Sequence, residues 1–374
     1  MSYGLPKEGA RPRENSREEL FPPTPTPLPP LSALVTAGYR EVMDAMHAVA
    51  VTQSLPITDP DVFVDVDLPV PSPGPLDLLV EIEAISLNPI DVKLRRKAGT
   101  PDEPLVLGFD AAGVVRAVGE RVSDFQVGDS VWFSGQSNRP GSYAQYTLVD
   151  SRIAARRPTS LSAAEAAAMP LTSITAWEGL HDHLRIGAHD SLLMIGGAGG
   201  VGSMVIQLAR LATDGDVVAT SSREASRAWC RDMGATAVID HRNDLAQELH
   251  EVGVNGVETV FSAYTVGREA ELAQLMSPFG RLVMIDGTDS FDMTAFKPKS
   301  LSVTSESMFA RPIFGTDDVA EQGRILARVA DLVDEGRLRT TVAHQLQGLT
   351  VDNIVEGTAL VESGRMVGKI VVTA

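Results

Sequence analysis

The stretch from Ser191 to Gly202, SLLMIGGAGGVG, constrains this chain more than any other: an apolar run, a glycine-rich turn, then the segment SMVIQLARLA. A short apolar run bounded by glycines reads as a buried strand, and the apolar-periodic segment after it reads as a helix. Gly197, Gly199 and Gly202 fall at G-x-G-x-x-G spacing, with Gly200 and Val201 inside the loop. In such a unit the first glycine makes the tight turn, the second lets the backbone approach a pyrophosphate, and the third lets helix and strand pack closely. The helix offers its free N–H groups and positive dipole end to the anion. The flanking strand and helix are what distinguish a dinucleotide site from a glycine-rich turn without a ligand.

Around this unit the texture changes twice. From Met46 to about Pro158, short alternating runs (HAVAVTQ, VFVDVDL, LLVEIEAISL, GVVRAVG, DSVWFSG, SYAQYTLV) are separated by Gly and Pro, the pattern of a small β-barrel or sandwich. Ser162 and Glu165 then form a capping box that starts a helix leading into the second region. After residue 190, apolar strands at LLMI, VVAT, AVID, ETVFS, RLVMI and LSVTS alternate with helical stretches, one of which, REASRAWCRDM, stops at Gly234. Six strands alternating with helices imply a doubly wound parallel sheet, so the fold class is α/β plus β. A last helix and the strand GKIVVTA return to complete the first region. Residues 1–45, with prolines at 22, 23, 25, 27, 29 and 30, read as a disordered extension.

With 49 acidic against 32 basic side chains the net charge is -17, which argues against non-specific nucleic-acid binding. No run of about 18 apolar residues and no secretory-type leader is present, so neither a membrane span nor export is expected, and the cytoplasm is the default. Cys230 is the only cysteine, which rules out an intrachain disulfide and a multi-cysteine metal site. His181, Asp182 and His183 form an H-x-H cluster that reads as surface histidines before it reads as a metal site.

The second strand of a dinucleotide-binding sheet ends in an acid where the ribose 2′-hydroxyl of NAD is held. Here it ends Thr220, Ser221, Ser222, Arg223. Two hydroxyls and an arginine suit a 2′-phosphate that a carboxylate would repel, so the expected cofactor is NADPH. The alternative is that Ser222 only caps the next helix and Arg223 is solvated.

In order, GFDAAGVVRAVG, VGDSVW, GSYAQYTLV, AAAMPLTSITAWEGL, IGGAGGVGS and GRMVGKIVV resemble the medium-chain dehydrogenase/reductase superfamily, in its quinone-oxidoreductase-like branch. GGAGGVGSMVIQLAR, PLTSITAW and SESMFARPIFGTDD are similar to the "zinc-type alcohol dehydrogenase-like" group. The resemblance covers residues 46 to 374 and implies a GroES-like β-barrel catalytic domain over 46–170, completed by 310–374, and a Rossmann domain over 171–309. It also implies that Asn88, Phe109 and Leu171 stand where zinc alcohol dehydrogenases carry their ligands, so no metal is expected. By the same resemblance Asn88 and Asp91 line the cleft near the nicotinamide, Thr175 contacts its carboxamide and Lys369 approaches the cofactor. Hydride transfer to a quinone, enone or related activated carbonyl follows, with Asn88 as the donor to the developing oxyanion. Trp132, Phe133 and the segment 308–314 are expected to line a pocket for a small hydrophobic substrate, and LSVTSES to form a homodimer edge. The runner-up is a zinc-dependent alcohol dehydrogenase; a non-catalytic NADPH-binding sensor is the alternative of another class.

Overall fold

The strands that carry the site are those whose sequence is apolar without alternation. In the computed structural model, which describes residues 45–97, 100–288 and 290–374, Leu192–Ile195 and Val217–Thr220 are buried at every position. Such strands need a cover on both faces, and only helices on both sides of a parallel sheet supply it. The extension expected over 1–45 lies, but for Ala45, outside the described residues.

The first half of the chain supplies β1 (Met46–Val51), β2 (Val64–Leu68), β3 (Asp77–Ser86), β4 (Leu105–Val106), β5 (Asp110–Val118), β6 (Ser130–Ser134), β7 (Tyr146–Asp150) and β8 (Ala154–Arg156). The second half supplies β9 (Leu192–Ile195), β10 (Val217–Thr220), β11 (Ala237–Ile239), β12 (Val257–Ser262), β13 (Met276–Met284), β14 (Ser302–Ser305), β15 (Val342–Gln347) and β16 (Lys369–Thr373). Strands β9 to β14 form one parallel sheet in the order β11-β10-β9-β12-β13-β14, with β14 at its edge. Strands β3 and β5 to β8 form a second, mainly antiparallel sheet, joined on one side by β15 and β16; β1, β2 and β4 form a third. The C-terminal strand therefore does return to the first region, pairing with β3.

Helix α1 (Pro89–Arg95) follows β3; α2 (Ala163–Ala167) and α3 (Pro170–Trp177) connect the two large sheets; α4 (Gly200–Ala212) follows the glycine turn. Further on, α5 (Glu224–Asp232), α6 (Leu245–Glu251) and α7 (Glu269–Leu275) alternate with the strands. The Ser162–Glu165 capping box forms in both directions, and Gly234, at φ +108°, adopts the left-handed conformation that ends α5. Helix α4 buries Met204, Val205, Ile206, Leu208 and Ala209 against the sheet. No helix among the described residues is long and apolar enough to cross a membrane.

Candidate active site

A cavity of about 650 Å³ opens where the carboxyl ends of β9 to β13 face the mainly antiparallel sheet near β3 and β16. One wall is the glycine turn. Gly196, at φ +89°, makes the tight turn; Gly197, expected to do so, instead lies under β10, where a Cβ would sit 2.7 Å from Ala219 Cβ and 3.1 Å from Cys230 Sγ. The left-handed position falls on the glycine where the strand ends, one residue before the motif as spaced. Gly199 caps α4 and Gly202 packs so tightly that a Cβ would overlap the Gly196 carbonyl oxygen. The N–H groups of Gly200, Val201 and Gly202, first in α4, have no partner within the helix and lie in the cavity lining.

The facing wall is a buried polar network. Lys369, 4% exposed, donates from Nζ to Leu87 O (2.9 Å), Asn88 Oδ1 (2.5 Å) and Asp110 Oδ2 (3.1 Å). Asp110, fully buried, also accepts from Ser86 Oγ (2.7 Å), Asn88 Nδ2 (2.8 Å) and the Leu171 N–H (2.6 Å). The network thus ties β3, α1, β5, α3 and β16 together. Its reach depends on Gly200, where a Cβ would stand 2.7 Å from Lys369 Cδ. Next to it the main chains are joined directly: the Gly368 N–H donates to Ala198 O (2.8 Å), and Gly199 and Gly368 form a parallel bridge. Lys369 therefore does reach the cavity wall, but its ammonium is spent on the protein.

Three expectations for the chemistry are changed by this packing. Both amide hydrogens of Asn88 are engaged, with Asp110 and Ser86 O (3.3 Å), so none is left for a substrate oxygen. Asp91 does not line the cavity: buried, it accepts from the Asn88 N–H (2.7 Å) and the Gly108 N–H (3.2 Å) and braces the start of α1. Burial pushes its carboxyl up to about 7, against the Asn88 N–H and the Lys369 charge, which favour the ionised form. Arg95 is held by Glu362 (2.5 Å). Thr175 is buried away from the cavity, and Thr172, one turn earlier on α3, lines it instead.

The pocket-lining residues also differ. Trp132 and Phe133 are core residues of β6, Met308 is buried, Phe309 packs edge-on against Phe109 (centroids 5.2 Å apart), and none of them lines this cavity. Phe314 is exposed. Tyr264, from the segment after β12, is the aromatic at the mouth. The signal for it was its place at the end of a strand of the parallel sheet.

At the end of β10 the cavity is lined by Ser221, Ser222 and Arg223, joined by His241 and by Arg365 from the loop before β16. Ser222 does not cap α5: Arg223 occupies that position, without a side-chain cap, and its Nη2 donates to Arg365 O (2.7 Å). Ser221 Oγ donates to Ser226 Oγ (2.5 Å). Arg365 was not visible from the sequence, because it arrives from a segment more than a hundred residues away.

The chain matches the alcohol dehydrogenase GroES-like domain over residues 74–159 and the zinc-binding dehydrogenase family over residues 233–372. It belongs to the medium-chain dehydrogenase/reductase superfamily of oxidoreductases, which bind a nicotinamide cofactor. Among individual proteins it is 36% identical to a zinc-type alcohol dehydrogenase-like protein of Staphylococcus epidermidis, over 87% of this chain and 99% of that one. It is 33% identical to a chloroplastic NADPH-dependent alkenal/one oxidoreductase of Arabidopsis thaliana, over 56% of this chain and 55% of that one. The crystal structure of a candidate zinc-dependent alcohol dehydrogenase from Rhizobium etli CFN 42 superposes with a TM-score of 0.85 and 46% identity, covering 88% and 98% of the two chains.

The family description names zinc, and the donor set here does not fit it. Catalytic zinc takes thiolate, imidazole and carboxylate ligands. Of the residues at the expected ligand positions, Phe109 and Leu171 have no donor atom, and Asn88 Oδ1 already takes the Lys369 ammonium. Among the described residues no three His, Cys, Asp or Glu side chains come close enough to hold a metal. The H-x-H cluster is dispersed: His183 Nε2 pairs with Glu306 (2.7 Å), Asp182 with Arg311 (3.0 Å), and His181 packs on Trp177.

Proposed function

We propose that this protein is a zinc-independent, NADPH-dependent reductase of enones, quinones or related activated carbonyls. The observation that carries the reading is the charge of the cavity. In a chain of net charge -17 the end of the cavity beyond β10 is lined by Arg223 and Arg365, and no aspartate or glutamate is in its described lining. A cleft of one sign with low-dielectric walls concentrates a polyanion, and NADPH carries one more phosphate than NADH. The likeness to a protein named as an NADPH-dependent alkenal/one oxidoreductase supports the same cofactor and acceptor class.

When bound, the nicotinamide supplies hydride. The first turn of α4 binds the pyrophosphate, and Ser221, Ser222, Arg223 and Arg365 hold the 2′-phosphate. The residues that would hold its adenosine half lie at the ends of β10 and β11 and those that would hold its nicotinamide half at the ends of β12 and β13, on either side of the point where the strand order reverses. The nicotinamide would supply hydride to the β-carbon of the acceptor, and the charge developing on the acceptor oxygen would face the Lys369–Asp110 pair, whose hydrogen bonds hold it without reorganising. A proton from solvent, entering beside Tyr264, completes the saturated carbonyl. The open edge of β14 serves as a homodimer contact.

The test is titration with NADPH and NADH, read by tryptophan quenching, on the wild type and on Ser222→Ala/Arg223→Ala. NADPH is expected to bind at least about tenfold tighter, about 1.4 kcal/mol, with the advantage lost in the double variant. Equal binding of NADH removes the phosphate site, and with it the preference for a reductive role. Binding of both without turnover on any enone or quinone favours a sensor.

A further inference from the structure

Arg223 and Arg365 account for one end of the cavity, but Arg268 lies at the other. It ends the segment between β12 and α7, and β12 stands on the opposite side of β9 from β10 and β11. On the reading given above, on which this inference rests, that is the nicotinamide half, where Ile285 at the end of β13 also faces the cavity. Arg268 Nε donates to Glu271 Oε2 (2.8 Å), which fixes the guanidinium plane. Its two terminal nitrogens have no partner among the described residues.

The cofactor does not need this cation. Its 2′-phosphate has Arg223 and Arg365, and its pyrophosphate has the free N–H groups of α4. Glu271 pairs with the Nε edge of Arg268, and no other carboxylate is paired with it among the described residues. Beside it Tyr264, 60% exposed, carries its ring over the turn, close enough that a Cβ on Gly196 would stand 2.9 Å from its Cε2. An exposed aromatic ring and a guanidinium held by Glu271 in the lining of one cavity offer an apolar face and a fork shaped for a carboxylate.

We propose that Tyr264 and Arg268 form an acceptor subsite selecting a planar conjugated carbonyl compound that bears a carboxylate, with the ring of the acceptor on Tyr264 and its carboxylate on the terminal nitrogens of Arg268. This narrows the expected hydrophobic substrate to an amphipathic anion.

The experiment compares benzalacetone with its para-carboxylate as acceptors for the full chain with NADPH. The carboxylate is expected to show a kcat/KM at least about tenfold higher. Arg268→Gln is expected to raise KM for the carboxylate about tenfold while leaving kcat, the KM for benzalacetone and the Kd for NADPH within about twofold, and Arg268→Lys to recover part of the loss. Equal use of both acceptors by the wild type overturns the subsite and leaves the reductase reading standing. A weakened NADPH Kd in Arg268→Gln, with both acceptors affected alike, gives Arg268 to the cofactor and also overturns it. NADPH binding without reduction of either acceptor removes the reductase reading and the subsite together.

Discussion

The two walls of the cavity are made from different parts of the amino acid. The glycine turn presents main chain: Gly196, Gly200 and Gly202 bring carbonyls and N–H groups where any side chain would intrude. The facing wall presents side chains: Lys369, Asn88, Asp110 and Ser86 satisfy one another in a volume with almost no solvent. The first wall is therefore sensitive to bulk whatever its chemistry. The second is sensitive to charge even when shape is kept.

The largest test of that contrast is Lys369→Met, which keeps the length of the stem and removes the ammonium. Asp110 is left fully buried without its countercharge, and breaking a buried pair on one side costs about 3–5 kcal/mol. Urea unfolding of the apo protein measures it. Adding Asp110→Asn to Lys369→Met is expected to return part of the loss, because the orphaned charge goes with it. A loss below about 1 kcal/mol for Lys369→Met would show that the neutral donors around Asp110 suffice.

On the main-chain wall the matching pair is Gly202→Ala and Gly200→Ala. A methyl at 202 overlaps the Gly196 carbonyl, which moves only if the turn opens; a methyl at 200 meets side-chain rather than main-chain atoms, Lys369 Cδ and Thr172 Cγ2. Gly202→Ala is expected to lose about 1–3 kcal/mol of stability, as overpacking does, and to weaken NADPH at least about tenfold. Gly200→Ala is expected to change both less. Equal effects would mean that the turn tolerates displacement and that main-chain approach is not what it is built for.

The same contrast explains what could be read beforehand. The parallel sheet, the glycine turn, the Ser162 capping box and the return of the last strand follow from periodicity and turn chemistry, which are local. So does the Ser221 to Arg223 corner, because it trails its strand directly. The polar network was not legible in that way: Lys369 and Leu87 lie 282 residues apart, and no spacing rule says that Asn88 spends its amide on Asp110. Thr175 and Asp91 were one helical turn from visible neighbours, Thr172 and Asn88, and side-chain direction on α3 and α1 decided which of them the cavity sees. Trp132 and Phe133 looked like pocket residues because they are large and apolar, the properties that also place residues in a core.

The test that isolates charge from shape, read through its pH dependence, concerns Asp91. Burial raises its folded-state pKa to about 7, whereas in the unfolded chain it titrates near about 3.9. Between those values the folded protein holds a proton that the unfolded chain has released, so its contribution to stability declines as pH rises from about 4 to about 7. Asp91→Asn cannot titrate. It also keeps only one acceptor for the Asn88 and Gly108 N–H groups, a pH-independent loss of about 1–3 kcal/mol. In unfolding free energies at pH 5, 6, 7 and 8, Asp91→Asn is therefore expected to gain on the wild type as pH rises to 7, and the difference between the two to stay constant above it. Curves parallel throughout would mean that the two N–H donors and the Lys369 charge already offset the burial of Asp91, and that the side-chain wall, at this position, is set by shape as the glycine turn is.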